Sequence, residues 1–172
     1  MSPRGGTSGG AGGRDASLVG HPAPPFTLED AVTGASVTLS DFAGSDTLVL
    51  FLRGTWCPNC RGQLALLREN VPKLERAGVR VVAIACQGVG SLRRYLEGDP
   101  MPFPVLADAR RDAAKAYRTH YWLSAEGINL SQPALFILDR SHVVTFAHVG
   151  RNQRDLPVGD LLDRFLAFLS DE

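Results

Sequence analysis

The sequence predicts an α/β fold: a mixed central β-sheet with helices on both faces. Three observations carry that expectation. Two nearly continuous apolar runs, "TLVLFLR" (residues 47–53) and "VRVVAIAC" (residues 79–86), are rich in strand formers and read as strands buried on both faces. Between them Leu64, Leu67, Val71 and Leu74 recur at helical spacing. Strand–helix–strand alternation demands a parallel pair joined by a right-handed crossover. Late in the chain "PALFIL" and "HVVTFAHV" flank the turn "DRS", which predicts an antiparallel hairpin.

The remaining elements follow in order. Residues 1–17 are rich in Gly and Ser and predict a flexible tail. They carry charge but no apolar h-region, so they are not read as a secretory signal. Residues 18–172 are expected to form one domain. In "HPAPPFTLED" the prolines enforce extended backbone, and Phe26 and Leu28 alternate with polar residues as in a short strand. "AVTG" reads as a turn, "ASVTL" as a second short strand, and "SDFAG" as one helical turn with a Ser or Asp cap and a Gly stop. Pro72 predicts a kink or a break in the first long helix, and Gly78 its end. "SLRRYLEG" and "ARRDAAKAYRT" read as helices, "MPFPVLAD" as an extended segment, and "HYWLSAEGINLSQ" as a loop. "VGDLLDRFLAFLS" is an amphipathic terminal helix with Leu161, Leu162, Phe165 and Leu169 on its buried side. No internal repeat is visible.

Composition narrows the function. The 172 residues suffice for one domain with a hydrophobic core, and 44% hydrophobic with 21% charged residues is ordinary for a globular protein. Eighteen basic residues balance eighteen acidic ones, so no electrostatic footprint for nucleic acid or an anionic membrane surface is expected. No apolar run approaches the roughly 20 residues a membrane span needs. The three cysteines are an odd count, which fits reactive thiols in the cytoplasm better than a disulfide-stapled secreted domain.

Two of those cysteines stand in "RGTWCPNC", directly after the first buried strand. A strand feeding Cys-x-x-Cys into a helix places Cys57 at the helix N-terminus. Unpaired N–H groups and roughly half a unit of positive charge there favour thiolate over thiol. Pro58 suits the first helical position, where its missing N–H costs nothing. Cys60 sits about one turn in, so the spacing builds one reactive sulfur and one less accessible partner. A structural zinc site needs four ligands, and here there is one Cys pair, with His142 and His148 six residues apart and not at finger spacing. No metal and no cofactor is expected. Two buried structural cysteines are the plain alternative; Trp56 and Pro58 flanking the pair argue against it. Disulfide exchange and attack on a peroxide both remain open.

"WCPNC" after a buried strand resembles the thioredoxin superfamily. "FLRGTWCPNCRGQL" resembles more specifically the peroxiredoxin-like branch of the AhpC/TSA family. The lead-in "PAPPFTLED…G…VTLSDFAG", the second core strand "VVAIACQ" and "QPALFILD" agree, over about residues 19–169. The resemblance implies a thioredoxin-like fold with an N-terminal peroxiredoxin-type extension. It implies that Cys57 is the nucleophile, that Cys60 resolves the sulfenic acid or mixed disulfide, and that Pro133 is a cis-proline packed near Cys57. The pattern departs in two places. The hydroxyl that peroxiredoxins carry three residues before the cysteine is Gly54 here, with Leu50 at the proline place; Thr55, one residue on, substitutes only if the loop differs. The buried Asp that thioredoxins carry six residues before the first Cys is Phe51.

Arg53 is the candidate to compensate, by favouring thiolate or by orienting a peroxide oxygen; a structural ion pair is its other reading. Arg151, after the last strand, is the candidate for a later-strand arginine, while Arg154 reads as a solvated surface residue. Cys86 closes the second core strand, as packing or as a third thiol. The "HYWL" cluster walls the thiol pocket or packs its loop down.

The function expected is a cytoplasmic, thiol-based antioxidant oxidoreductase that reduces peroxides through a sulfenic acid and a Cys57/Cys60 disulfide. The alternatives are a thioredoxin-like protein disulfide reductase and a redox-sensing binding module. Expected partners are a peroxide or disulfide substrate and an external dithiol of the thioredoxin or glutathione type. Nucleic acid and membrane are not expected. Relatives of this fold pair through edge strands or loops, so the resemblance allows a homodimer.

Overall fold

The computed structural model describes residues 18–124, 127–152, 154–156 and 158–170. The expected tail, residues 1–17, lies outside them. Seven strands form one sheet in the order β2-β1-β5-β4-β3-β8-β9. These are β1 (Thr27–Asp30), β2 (Ser36–Thr38), β3 (Asp46–Leu52), β4 (Val79–Ala85), β5 (Val105–Ala107), β8 (Ala134–Leu138) and β9 (Val144–Val149). The apolar runs β3 and β4 pair in parallel, with Leu48 opposite Val81 and Leu52 opposite Ala85. β4 and β5 are also parallel, while β1–β5, β3–β8 and β8–β9 are antiparallel. The sheet is mixed, as its pattern of short and long connections predicts.

Strand alternation divides the core in two. Leu48, Leu50 and Leu52 of β3 join one cluster with Val81, Ala83 and Ala85 of β4. Helix α1 (Pro58–Arg76) packs there through Cys60, Leu64, Leu67, Val71 and Leu74. Helices α2 (Val89–Gly98) and α4 (Asp160–Ser170) cover the same face through Leu92, Leu96 and Leu162. Val49 and Phe51 point the other way, with Ile84, Phe136, Phe26 and Tyr117. There Phe51, Tyr117 and Phe136 form an aromatic cluster with ring centroids 5.1 to 5.8 Å apart. Short helix α3 (Asp112–Ala116) lies on this face through Ala113 and Ala114.

Several local expectations change. Helix α1 runs unbroken through Pro72. Buried Val71 and Leu74 hold it to the sheet on either side, and the lost backbone bond falls on the exposed face, so tertiary packing outweighs the local penalty. The segment expected as a loop is instead a two-stranded hairpin, β6 (His120–Ser124) with β7 (Gly127–Ser131). Trp122 and Leu123 are 68% and 72% exposed on it, while Tyr121 packs against the second core cluster, so the aromatic segment is packed down only in part. Helix α3 is shorter than its good helix formers suggest. Arg111 before it and Arg118 after it adopt left-handed backbone, and the Asp108 carboxylate accepts the N–H groups of Ala113 and Ala114. In α4, Leu162 is buried, with Phe165, Leu166 and Leu169 packed beside it; Leu161 is only half-buried.

Candidate active site

Parallel strands end on one edge of a sheet. The loop after β3 and the loop after β4 therefore meet, and each carries residues of the site. The first loop runs from Arg53 to Cys57. Its turn is closed by the Cys57 N–H on the Gly54 carbonyl at 3.3 Å. Cys57 then caps α1 with extended backbone (φ −84°, ψ 120°), its carbonyl accepts the first helical bond from Arg61, and Pro58 takes the first helical position. The sequence places these residues as expected. Cys57 and Cys60 are both free thiols, 5% and 2% exposed.

The two thiols belong to one buried cluster at the start of α1. Burial pushes the Cys60 thiol up from its ordinary 9.0 to about 11. The backbone N–H groups of Gly54 and Arg53 pull it the other way, but the neighbouring Cys57 and the hydrogen bond that Cys60 donates to its sulfur add to the rise. Cys60 thus keeps its proton at neutral pH. The arrangement supplies one sulfur at a helix N-terminus and one protonated sulfur within hydrogen-bond reach, which suits attack by the first and condensation by the second.

Two side chains that sequence reasoning missed hold the loop still. Gln87, after β4, accepts the Thr55 N–H at 2.7 Å through Oε1, and its Nε2 lies 2.9 Å from Thr55 Oγ1. Arg61 donates from Nε to the Thr55 carbonyl at 2.7 Å and from Nη2 to the Trp56 carbonyl at 3.0 Å. The available signals were position alone: a polar residue at the end of a buried strand, and a guanidinium one turn past Cys57. A third missed residue, Gln63, faces away from solvent inside α1. It exchanges two bonds with the Val158 backbone, at 3.0 and 2.7 Å, and so ties the segment after β9 to the helix that carries the cysteines.

The other predicted residues scatter in their settings. Arg53 is buried at 7% exposure, directly after β3, and its backbone N–H faces the Cys60 sulfur. Thr55 is buried, and Trp56 is half-exposed with its ring folded over Gly54. Phe51, at the place of the thioredoxin Asp, belongs to the aromatic cluster on the opposite face of the sheet.

The expected cis bond at Pro133 is corrected: among the described residues every peptide bond is trans. Pro133 lies just before β8, where it owes no ladder N–H, and its carbonyl accepts the Gly150 N–H at 2.7 Å. Gly150 fits tightly here, since a β-carbon on it would stand 2.4 Å from the Asp155 carbonyl oxygen and 2.9 Å from the Pro133 ring.

Arg151 is 66% exposed along its side chain and pairs with Asp155, Nε to Oδ2 at 3.6 Å. Burial would raise the Asp155 carboxyl, but the Arg151 N–H and the His148 and Arg151 charges outweigh it and hold it below its ordinary value. Cys86 sits in the second cluster, on the opposite face from the Cys57 and Cys60 cluster, and the structure does not bring it to the pair. Burial, then the Asp108 carboxylate, pushes its thiol up to about 12. Among the described residues no group of three or more His, Cys, Asp or Glu side chains could hold a metal ion. Two clefts, about 460 and 350 Å³, are lined by groups including Arg76 with Leu166 and Arg80 with Phe103; neither includes a residue of this site.

Residues 19–147 match the model of the AhpC/TSA family. A Mycobacterium tuberculosis protein named as a peroxiredoxin is 28% identical over 149 residues, covering 81% of this chain and 94% of that protein. Among solved structures, the peroxidoxin BcpB from Mycobacterium tuberculosis superposes with a TM-score of 0.75 at 19% identity, over 89% of this chain and 96% of that one. A Chlorobium tepidum protein named as the thiol:disulfide interchange protein DsbE superposes with a TM-score of 0.69 at 27% identity, over 88% of this chain and 97% of that one. The first structural likeness supports the thioredoxin-like fold.

Proposed function

Because the chain belongs to the AhpC/TSA family, we propose that it is a thiol-dependent peroxidase whose catalytic pair is Cys57 and Cys60. The observation that carries the assignment is the placement of two buried thiols at the start of one helix, Cys57 at the N-cap of α1 and Cys60 in its first turn. The Cys57 thiolate attacks one peroxide oxygen. An S–O bond forms, the O–O bond breaks, sulfur is oxidised to sulfenic acid, and the leaving alkoxide or hydroxide takes a proton. Cys60 then condenses with the sulfenic acid: an S–S bond forms, the S–O bond breaks, and its thiol proton leaves with the oxygen as water. An external dithiol of the thioredoxin or glutathione type attacks the disulfide, is itself oxidised, and returns both thiols.

Arg53 and Thr55 border the Cys57 sulfur in this reading and orient the peroxide, while Arg151 and Pro133 support the neighbouring wall. A cytoplasmic setting, where thiols are kept reduced, belongs to the same proposal. Among the described residues no helix is long and apolar enough to cross a membrane. Homodimer formation through a sheet edge, with β9 at one end of the order, belongs to the same proposal and is read by sedimentation.

The test is a stopped-flow mix of fully reduced protein with hydrogen peroxide, followed by mass spectrometry. Fast, stoichiometric formation of a bond between Cys57 and Cys60, lost in Cys57→Ser, supports the reading. Oxidation no faster than that of a free thiol overturns it. A second reading, reduction of protein disulfides, draws on the likeness to the DsbE-named structure and on the contact between the two thiols. Turnover of an oxidised protein substrate without fast peroxide oxidation would favour it.

A further inference from the structure

The position of Thr55 is overdetermined. Its N–H donates to Gln87 and its carbonyl accepts from Arg61. Its hydroxyl lies against Gln87 Nε2. A backbone N–H can only donate, so the Gln87 atom facing it must be the carbonyl oxygen. The amide nitrogen is thereby fixed as the other end. It carries two hydrogens, and two oxygens receive them: Thr55 Oγ1 at 2.9 Å and Ser91 Oγ at 3.1 Å. Ser91 in turn donates to the Gly88 carbonyl at 3.2 Å. Every donor on Gln87 is spoken for, and the chain of bonds has one direction.

That direction decides what Thr55 does. Its oxygen accepts from Gln87, so its single hydrogen points elsewhere. Among the described residues no acceptor meets that hydrogen. Thr55 is 6% exposed and stands two residues before Cys57, inside the turn that the Cys57 N–H closes on Gly54. A buried hydroxyl with its oxygen engaged and its hydrogen uncommitted is an oriented donor. Donors held in place before charge develops are worth far more than mobile ones.

We infer that Gln87 is a positioning residue of the peroxidase site: by donating to Thr55 Oγ1 it commits the Thr55 hydroxyl hydrogen to a peroxide oxygen at Cys57. This rests on the peroxidase reading. It gives the site a hydroxyl donor although Gly54 occupies the place where one was expected. The Thr55 hydrogen bond stabilises the negative charge that grows on oxygen as the O–O bond breaks; the proton that finally neutralises the leaving oxygen comes from solvent.

Gln87→Glu tests the direction of the network with little change of shape. One carboxylate oxygen still accepts the Thr55 N–H. The other can only accept, so it captures the Thr55 hydrogen. Two rates are measured on each folded variant: oxidation by hydrogen peroxide, and alkylation of Cys57 by iodoacetamide, which has no O–O bond to polarise. Gln87→Glu is expected to lose about 100-fold in the peroxide rate with alkylation near that of the parent chain. Thr55→Val should lose the same, Thr55→Ser should retain the parent rate, and the Gln87→Glu/Thr55→Val double variant should lose no more than either single one. A parent-like peroxide rate in Gln87→Glu overturns the inference, as does an equal loss in both reactions, which is what a disturbed loop alone would give. A parent chain no faster than a free thiol ends the peroxidase reading and this inference together; a fast parent with an unaffected Gln87→Glu ends the inference alone.

Discussion

The indole of Trp56 lies where a side chain on Gly54 would have to be: a β-carbon there would stand 1.7 Å from Trp56 Cζ3 and 2.2 Å from Cη2. The ring roofs a piece of backbone whose N–H faces the Cys60 sulfur. Gly54→Ala therefore swings the indole out rather than breaking the fold, because Trp56 is already 49% exposed. The expected stability cost is about 1 kcal/mol. In a Trp122→Phe background, which leaves Trp56 as the single indole, the emission maximum should move to the red. Cys60, protected in the parent chain, should become labelled by iodoacetamide. An unchanged spectrum with Cys60 still protected would show that the ring does not cover the site in solution.

In the proposed cycle the proton on Cys60 sets how fast a sulfenic acid on Cys57 is resolved. With the Cys60 thiol at about 11 in the reduced pair, first through burial, its thiolate is a fraction on the order of 10⁻⁴ at pH 7, and the burial persists when Cys57 is oxidised. Condensation should accelerate roughly tenfold per pH unit from pH 7 to pH 9. At pH 7 excess peroxide then competes with Cys60 for the sulfenic acid and carries Cys57 on to sulfinic acid. Mass spectrometry after a peroxide pulse should find sulfinic acid at pH 7 and mostly disulfide at pH 9. A product ratio that does not change with pH would mean that Cys60 does not need to ionise before it attacks.

The parts of this molecule legible in its sequence are those with a period. Leu48, Leu50 and Leu52 alternate with Val49 and Phe51, and the two sets fall in the two core clusters. The placement of Cys57 and Pro58 at a helix start followed from a local rule about helix termini, and held. The bonds that fix the site leave no such trace. Gln87 reaches Thr55 across 32 residues, and Gln63 reaches Val158 across 95. Each is a single polar contact that only the folded topology brings about. Hairpin β6–β7 was invisible for another reason: Trp122, Leu123 and Ile128 are all exposed, so its strands lack the inward–outward alternation that marks a half-buried strand. The trans bond at Pro133 is the local default prevailing over the family pattern.

Tyr117 carries a polar atom into the aromatic cluster at a cost. It is fully buried between Phe51 and Phe136, and among the described residues its hydroxyl has no hydrogen-bond partner. An unpaired buried hydroxyl costs about 1–3 kcal/mol. Tyr117→Phe keeps the ring and removes that oxygen. Urea denaturation should show stability unchanged or raised by about 1 kcal/mol, with an unchanged m-value. A loss of stability would mean that the hydroxyl is satisfied in solution, by water or by the chain.

Buried thiols also set the alkaline limit of the fold. Cys60 is raised from 9.0 to about 11 and Cys86 from 9.0 to about 12, both first by burial. Above pH 9 the unfolded chain releases these protons while the folded chain keeps them. The folded state then binds more protons, so stability falls as pH rises. The contribution is complete below pH 9 and is lost progressively toward pH 11 for Cys60 and pH 12 for Cys86. Each thiol approaches a slope of about 1.4 kcal/mol per pH unit within its window. The interval from pH 9 to pH 10 weights them most, because Tyr95 and Tyr117 are raised from 10.0 and their own losses begin there and grow above it. Cys86→Ala leaves a cavity and starts from a lower stability, but its loss between pH 9 and pH 10 should be about two-thirds that of the parent chain, the loss that remains coming from Cys60 and the onset of the tyrosine losses. Equal slopes in the two proteins would mean that Cys86 ionises in the folded state as readily as in the unfolded one.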